Sequence, residues 1–205
     1  MQAQSRLWHQ IRTVSSNALI EMNRATGPKP SQEMCALLIL GEDRRIDSHA
    51  GVDSIALIRS AWMTFIRGRR QGGSTIAMQL VRTITGRYQR TVWRKITEIL
   101  LAIRLTQSFS RLDIARIYLW LAYYGWNMHG FQRACEKLSI IPSCATSLES
   151  ARLVARLKYP QPRFLNEQQL VRINRRAWHL VTLQSTNMRC GSVRRIFRHG
   201  SISNS

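Results

Sequence analysis

Apolar residues recur along this chain at the spacing of a helix, and no period-2 strand pattern of comparable length appears. That pattern restricts the fold to helices packed on helices. After Asp53, a candidate N-cap, the run SIALIRSAWMTFIR sets Ile55, Ile58, Trp62 and Phe65 at helical spacing, and GRRQGG at 68–73 breaks it. A further helix is expected from near Ser74. Between Arg90 and Phe109 the residues Val92, Ile96, Ile99 and Ile103 fall on one face of a long helix. Glu98 lies about 120° off that stripe at 100° per residue. Ser110 with Asp113, and Thr146 with Glu149, have the spacing of capping boxes that open LDIARIYLWLAYYG and ESARLVARL. No repeat at a fixed period appears, and the fold class expected is mainly α.

A chain of 205 residues with 44% apolar content and six tryptophans suits one folded domain. Residues 36–183 are expected to form it, with 1–35 as an N-terminal extension lacking a membrane span and 184–205 as a loose basic tail. No run of about 18 apolar residues exists, and ALLIL at 36–40 is too short to span a bilayer. Cys35, Cys135, Cys144 and Cys190 show neither C-x-x-C nor zinc-finger spacing, so free thiols are the default and no metal site is expected from them.

Thirty-one Lys and Arg against eleven Asp and Glu give a net charge of +20 and a pI near 11.5. A field of that sign gathers polyanions, whether nucleic acid, anionic lipid headgroups or pyrophosphates. Against this background GEDRRIDSHAGVD at 41–53 gathers Glu42, Asp43, Asp47 and Asp53 around His49 and Gly51.

The motifs follow one another in a fixed order: GEDRRIDSHAGVD, QGGSTIAMQLVR at 71–82, RTVWRKITE at 90–98, SRLDIARIYLWLAYYG at 110–125 and ESARLVARLKYPQPR at 149–163. This series resembles the peptidoglycan glycosyltransferases of family 51, the glycan-polymerising domain of class A penicillin-binding proteins and of monofunctional transglycosylases. The family's first motif, E-D-x-x-F-x-x-H-x-G-x-D, is met by Glu42, Asp43, His49, Gly51 and Asp53, with Ile46 in place of the aromatic. Its second is met by Gly72, Gly73, Ser74, Thr75, Ile76, Gln79 and Leu80, with Arg82 for lysine and departures at Ala77 and Met78. Its third is complete in Arg90, Thr91, Arg94, Lys95 and Glu98. In the fourth, Ile114 and Tyr118 fit and Trp120 replaces an asparagine, while RRAWHL at 175–180 is similar to the last.

The resemblance implies a lysozyme-like fold with a large head lobe and a small jaw lobe near 82–93. It implies transfer of a lipid-linked donor glycan to the 4-hydroxyl of lipid II, with inversion and loss of undecaprenyl pyrophosphate. Such a displacement needs one carboxylate base and cations for the leaving group. Glu42 is the implied base and Glu98 the second catalytic carboxylate. Asp43, His49, Ser74, Thr75, Gln79, Arg82, Arg90, Arg94, Lys95 and Glu149 are implied on the substrate-binding side. Of these, His49 reads as a lock on its loop, and the capping spacing of Glu149 accounts for it without a substrate. No cofactor is implied as essential, although a divalent cation, Mg2+ or Mn2+, is an option at the pyrophosphate. The partners implied are lipid II, lipid-linked glycan and an anionic membrane surface, at the outer face of the bacterial cytoplasmic membrane. Nucleic acid is not expected, because no helix-turn-helix, RRM or finger spacing occurs. Two alternatives stay open on the residues alone: a non-catalytic basic module binding glycan, lipid or nucleic acid, and a lysozyme-like hydrolase, which would need a raised-pKa acid.

Overall fold

The computed structural model describes residues 2–46, 49, 51–53, 73–89, 91–164 and 166–189. Among them run eight helices: α1 (Gln2–Arg24), α2 (Gln32–Glu42), α3 (Ile76–Thr85), α4 (Val92–Ser108), α5 (Arg111–Leu121), α6 (Phe131–Leu138), α7 (Ser147–Lys158) and α8 (Glu167–Arg189). A short antiparallel hairpin, β1 (Tyr123–Gly125) and β2 (Met128–His129), pairs Tyr123 with His129 and Gly125 with Met128. The chain is therefore mainly α. The helix expected over SIALIRSAWMTFIR lies outside the described residues.

The starts of the helices are set by their caps. Thr75 accepts from Met78 N and opens α3 one residue beyond Ser74, while Gly86 closes it in the left-handed conformation at φ +63°. Thr146 and Glu149 form a complete capping box on α7. At α5, Ser110 caps as its spacing predicts, but the helix stops at Leu121 and LAYYG turns into the hairpin. Tyr124 is fully buried there and donates to the Leu119 carbonyl.

Seven consecutive residues of α2, Met34 to Leu40, are buried, which makes α2 the central helix, packed by α5, α7 and α8. α7 and α8 lie against each other, and α3 packs on α1, α4 and α5. α1 belongs to the same core: Trp8, Ile11, Ser15, Ala18 and Met22 are buried at spacings of three and four along one face. Its outer contacts include Trp120 Nε1 donating to Glu21 Oε2 at 3.4 Å. Cys35 and Cys135 are buried free thiols whose pKa burial pushes up to about 12, so both are inert; Cys144 is free and exposed.

The apolar stripe of α4 is only partly covered. Ile99 is half-buried against the core and Ile103 is half-buried, whereas Val92 is 78% exposed and Ile96 42%, with Trp93 and Leu100 beside them. The buried residues are Glu98, Leu101, Ala102 and Leu105. Periodicity finds an apolar face but not which neighbour lies under it, and here ion pairing turns Glu98 inward. Leu105→Ala should then lower the unfolding free energy by about 2–5 kcal/mol. Val92→Ala should change it by less than about 0.5 kcal/mol. Urea unfolding of both variants checks this, and the reverse order would restore the apolar stripe as the core face.

Candidate active site

Two carboxylates, Glu42 and Glu98, stand at opposite ends of one contact network, and α3 joins them. Glu42 is the last residue of α2, where the chain leaves the helix through Asp43 at φ −150°. Its Oε1 accepts from Arg176 of α8 at 2.8 Å, and its Oε2 accepts from Gln79 Nε2 of α3 at 3.2 Å. Arg176 also donates to the Gly41 carbonyl at 2.7 Å. A side chain at Gly41 would put its Cβ 2.5 Å from a Leu180 methyl and 3.0 Å from the Arg176 guanidinium, so these two side chains of α8 would have to shift. Gln79 is held in turn by Tyr118, whose hydroxyl donates to its Oε1 at 2.8 Å. Burial, and then the charge of Glu42, raise the phenol pKa of Tyr118, so it remains a donor throughout the ordinary pH range.

One turn along α3, Arg82 reaches Glu98 with two donors, Nε to Oε2 at 3.2 Å and NH2 to Oε1 at 2.7 Å. Arg94 donates to Oε2 from the preceding turn of α4, and Lys95 to Oε1 at 3.2 Å. Ser74 completes the group, accepting from Lys95 at 3.0 Å and from Arg82 at 3.4 Å. The Glu98 side chain is 3% exposed. Burial pushes its pKa up, but hydrogen bonds and charge from Arg82 and Lys95 more than offset this and hold it below the usual carboxylate range. Lys95 is lowered by its burial, against the attraction of Glu98. Three cations around one carboxylate leave the group positive, with Glu98 as its organiser rather than a free base.

The motif loop packs behind Glu42. Asp43 Oδ1 lies 2.8 Å from His49 Nε2, and its Oδ2 accepts from the Ile76 amide in the first turn of α3 at 3.3 Å. Burial raises the Asp43 pKa despite these contacts. His49 is thereby an anchor of its loop, and its carbonyl is held by Arg111 at 3.2 Å. Gly51, at φ +92°, lies so near α4 that a Cβ would come 2.7 Å from the Ala102 carbonyl. Thr75 donates to the Gly51 carbonyl at 2.7 Å and ties this loop to the start of α3.

Of the sequence-derived residues, Glu42 and Gln79 form one group, Asp43, His49 and Thr75 the support behind it, and Ser74, Arg82, Arg94, Lys95 and Glu98 the second group. Arg90 lies outside the described residues. Glu149 joins neither group: its carboxylate bonds to the Thr146 amide and hydroxyl as the cap of α7. Arg176 and Tyr118 join the Glu42 group without having been expected there from the motifs that contain them. The signal for Tyr118 was a polar hydroxyl inside the apolar run IYLWL.

Glu98→Gln removes the counter-charge of three partly buried cations and should cost on the order of 3 kcal/mol at pH 7. Because Glu98 ionises below the range of an unfolded carboxylate, its stabilisation is complete above that range and is lost as pH falls through the depressed value. The gap between wild type and variant should therefore close as the pH is taken below about 4. Thermal melts from pH 7 to pH 3 test this, and a gap of constant size would mean that Glu98 is not the ionised hub.

Comparison with known proteins bears on the same stretch. The family described as Transglycosylase matches residues 11–184. Penicillin-binding protein 1A of Aquifex aeolicus is 37% identical over 117 residues, which cover 57% of this chain and 16% of that protein. Penicillin-binding protein 1A of Escherichia coli is 37% identical over 105 residues, 51% of this chain and 12% of that one. The biosynthetic peptidoglycan transglycosylase of Nitrosomonas eutropha is 32% identical over 136 residues, 65% of this chain and 55% of that one. The matches thus span from about an eighth to about half of these relatives. With the family match extending over most of the chain and both carboxylate groups inside it, this protein belongs to the transglycosylase family.

Proposed function

We propose that this chain polymerises lipid II into β-1,4 glycan chains. The observation that carries this reading is the pairing on α3, where Gln79 touches Glu42 and Arg82, three residues on, touches Glu98. A proton acceptor and a cation cluster then lie a helical turn apart, as a displacement with an anionic leaving group requires. Glu42 takes the proton of the acceptor 4-hydroxyl as the oxygen bonds to the donor's anomeric carbon. The bond from that carbon to the diphosphate breaks, and its electron pair leaves on the diphosphate oxygen. Inversion at the carbon follows from the single in-line step. Arg176 and Gln79 each occupy one oxygen of Glu42, and each oxygen keeps a second lone pair for the acceptor.

Arg82, Arg94 and Lys95 neutralise the diphosphate, with Glu98 aligning them and Ser74 bridging two of them. Arg90 adds a further charge by family resemblance. The Glu98 carboxylate is shared by Arg82, Arg94 and Lys95, so a divalent cation at the diphosphate would be held chiefly by phosphate oxygens and water. On this reading the arginines and the lysine carry the protein's share of neutralising the leaving group, beside any such cation. The head and jaw lobes and the outer face of the cytoplasmic membrane belong to the same proposal.

A lipid-linked substrate brings the protein to a membrane surface. No helix among the described residues is long and apolar enough to cross one. Two features support an interfacial mode: the net charge of +20, and the exposed row of Val92, Trp93, Ile96 and Leu100 on α4 next to the cation group.

With labelled lipid II in detergent, the protein should yield long muramidase-sensitive polymer, and Glu42→Gln should reduce the rate roughly 10²–10⁴-fold while substrate binding persists. Unchanged turnover would remove Glu42 as the base, and fragments released from finished peptidoglycan would favour a hydrolase. On vesicles containing phosphatidylglycerol, high salt should release only part of the bound protein, and Trp93→Asp should abolish the salt-resistant part. Full release of the wild type by salt would refute insertion of the α4 row.

A further inference from the structure

We infer that the N-terminal helix carries a second anion site, formed by Arg6 of α1 and Arg87 beyond the end of α3 and suited to a phosphate or diphosphate ester. An open hollow of about 370 Å3 lies between these two elements, lined by Gln2, Arg6, Leu7, Gln10 and Arg87. Gln2, Arg6 and Gln10 recur every four residues, so one face of α1 presents two amides and a guanidinium to it. The position of α1 is fixed here by Gln10, whose amide donates to the Ile84 carbonyl at 3.2 Å, and by Arg104 of α4, whose guanidinium lies 4.6 Å over the Trp8 ring.

Charge selects the ligand. The sequence has no Asp or Glu from residue 1 to 20 or from 54 to 97, so the two segments that bound the hollow bring cations and no carboxylate. Among the described residues no ion pair involves Arg6 or Arg87. Leu7 and Arg87 also line a narrow crevice walled by Arg82, Arg94 and Glu98, which puts the hollow beside the positive group around Glu98. Two guanidinium groups facing one space repel each other, and an oxyanion between them turns that repulsion into two forked, charge-assisted contacts. The amides of Gln2 and Gln10 add polar partners at its rim. The volume admits a diphosphate as readily as a phosphate.

That chemistry has two sources, the headgroup of an anionic phospholipid and a diphosphate. Two assays on the full chain distinguish them: calorimetric titration with inorganic pyrophosphate, and co-sedimentation with phosphatidylglycerol vesicles. Arg6→Ala/Arg87→Ala is compared with Arg133→Ala/Arg172→Ala, which loses the same charge from other exposed positions. Loss of one equivalent of bound pyrophosphate in the first variant alone would assign a diphosphate. A drop of at least tenfold in vesicle affinity in the first variant alone would assign a headgroup. If the two variants track each other in both assays, only the general field acts and the site is overturned. All four arginines are exposed, so the fold should survive the substitutions, and melting temperatures check it. Binding is read without turnover, so this site and the polymerase reading fail separately.

Discussion

A carboxylate withdrawn almost wholly from water has to be met by positive charge, and Glu98 is met from three directions. Two of its partners lie on its own helix, one turn earlier, and the third crosses from α3. That crossing contact fixes the rotation of α4 about its axis. It turns Leu101, Ala102 and Leu105 into the core and leaves Val92, Trp93, Ile96 and Leu100 outside. The positive group and the exposed apolar row are thus two results of one ion-pair arrangement.

The same constraint gives α3 its part. Its first turn is held by Asp43 and Thr75 to the motif loop, its middle by Gln79 to Glu42, and its last turns by Arg82 to Glu98. A ten-residue helix with a fixed rise of about 1.5 Å per residue serves as a spacer between the two groups. Neither group depends on a loop conformation for its separation from the other.

Local rules were readable in the sequence: the helix starts at Ser110 and Thr146 are cap chemistry, which involves neighbours three residues apart, and the start expected near Ser74 falls at Thr75. The membership of the positive group was readable too, because the motif series carried Arg82, Arg94, Lys95 and Glu98 together. What escaped was long-range. The face of α4 that enters the core depends on Arg82, sixteen residues upstream of Glu98. The hairpin after Leu121 depends on Gln161, whose amide donates to the Tyr124 carbonyl from the far side of α7. The role of α1 in the core was hidden because Trp8, Ile11, Ala18 and Met22 are separated by polar residues. Glu149 carried a motif position, yet its cap geometry explains its placement.

Arg176 stands 134 residues after Glu42, on the last described helix, and binds both its carboxylate and the Gly41 carbonyl before it. As the chain emerges during synthesis, α2 and the motif loop appear first, and the arginine that anchors the acidic group follows 134 residues later. The network around Glu42 therefore closes only when α8 docks. A chain that stops before α8 lacks it, and closure of the site becomes a report on the docking of that helix.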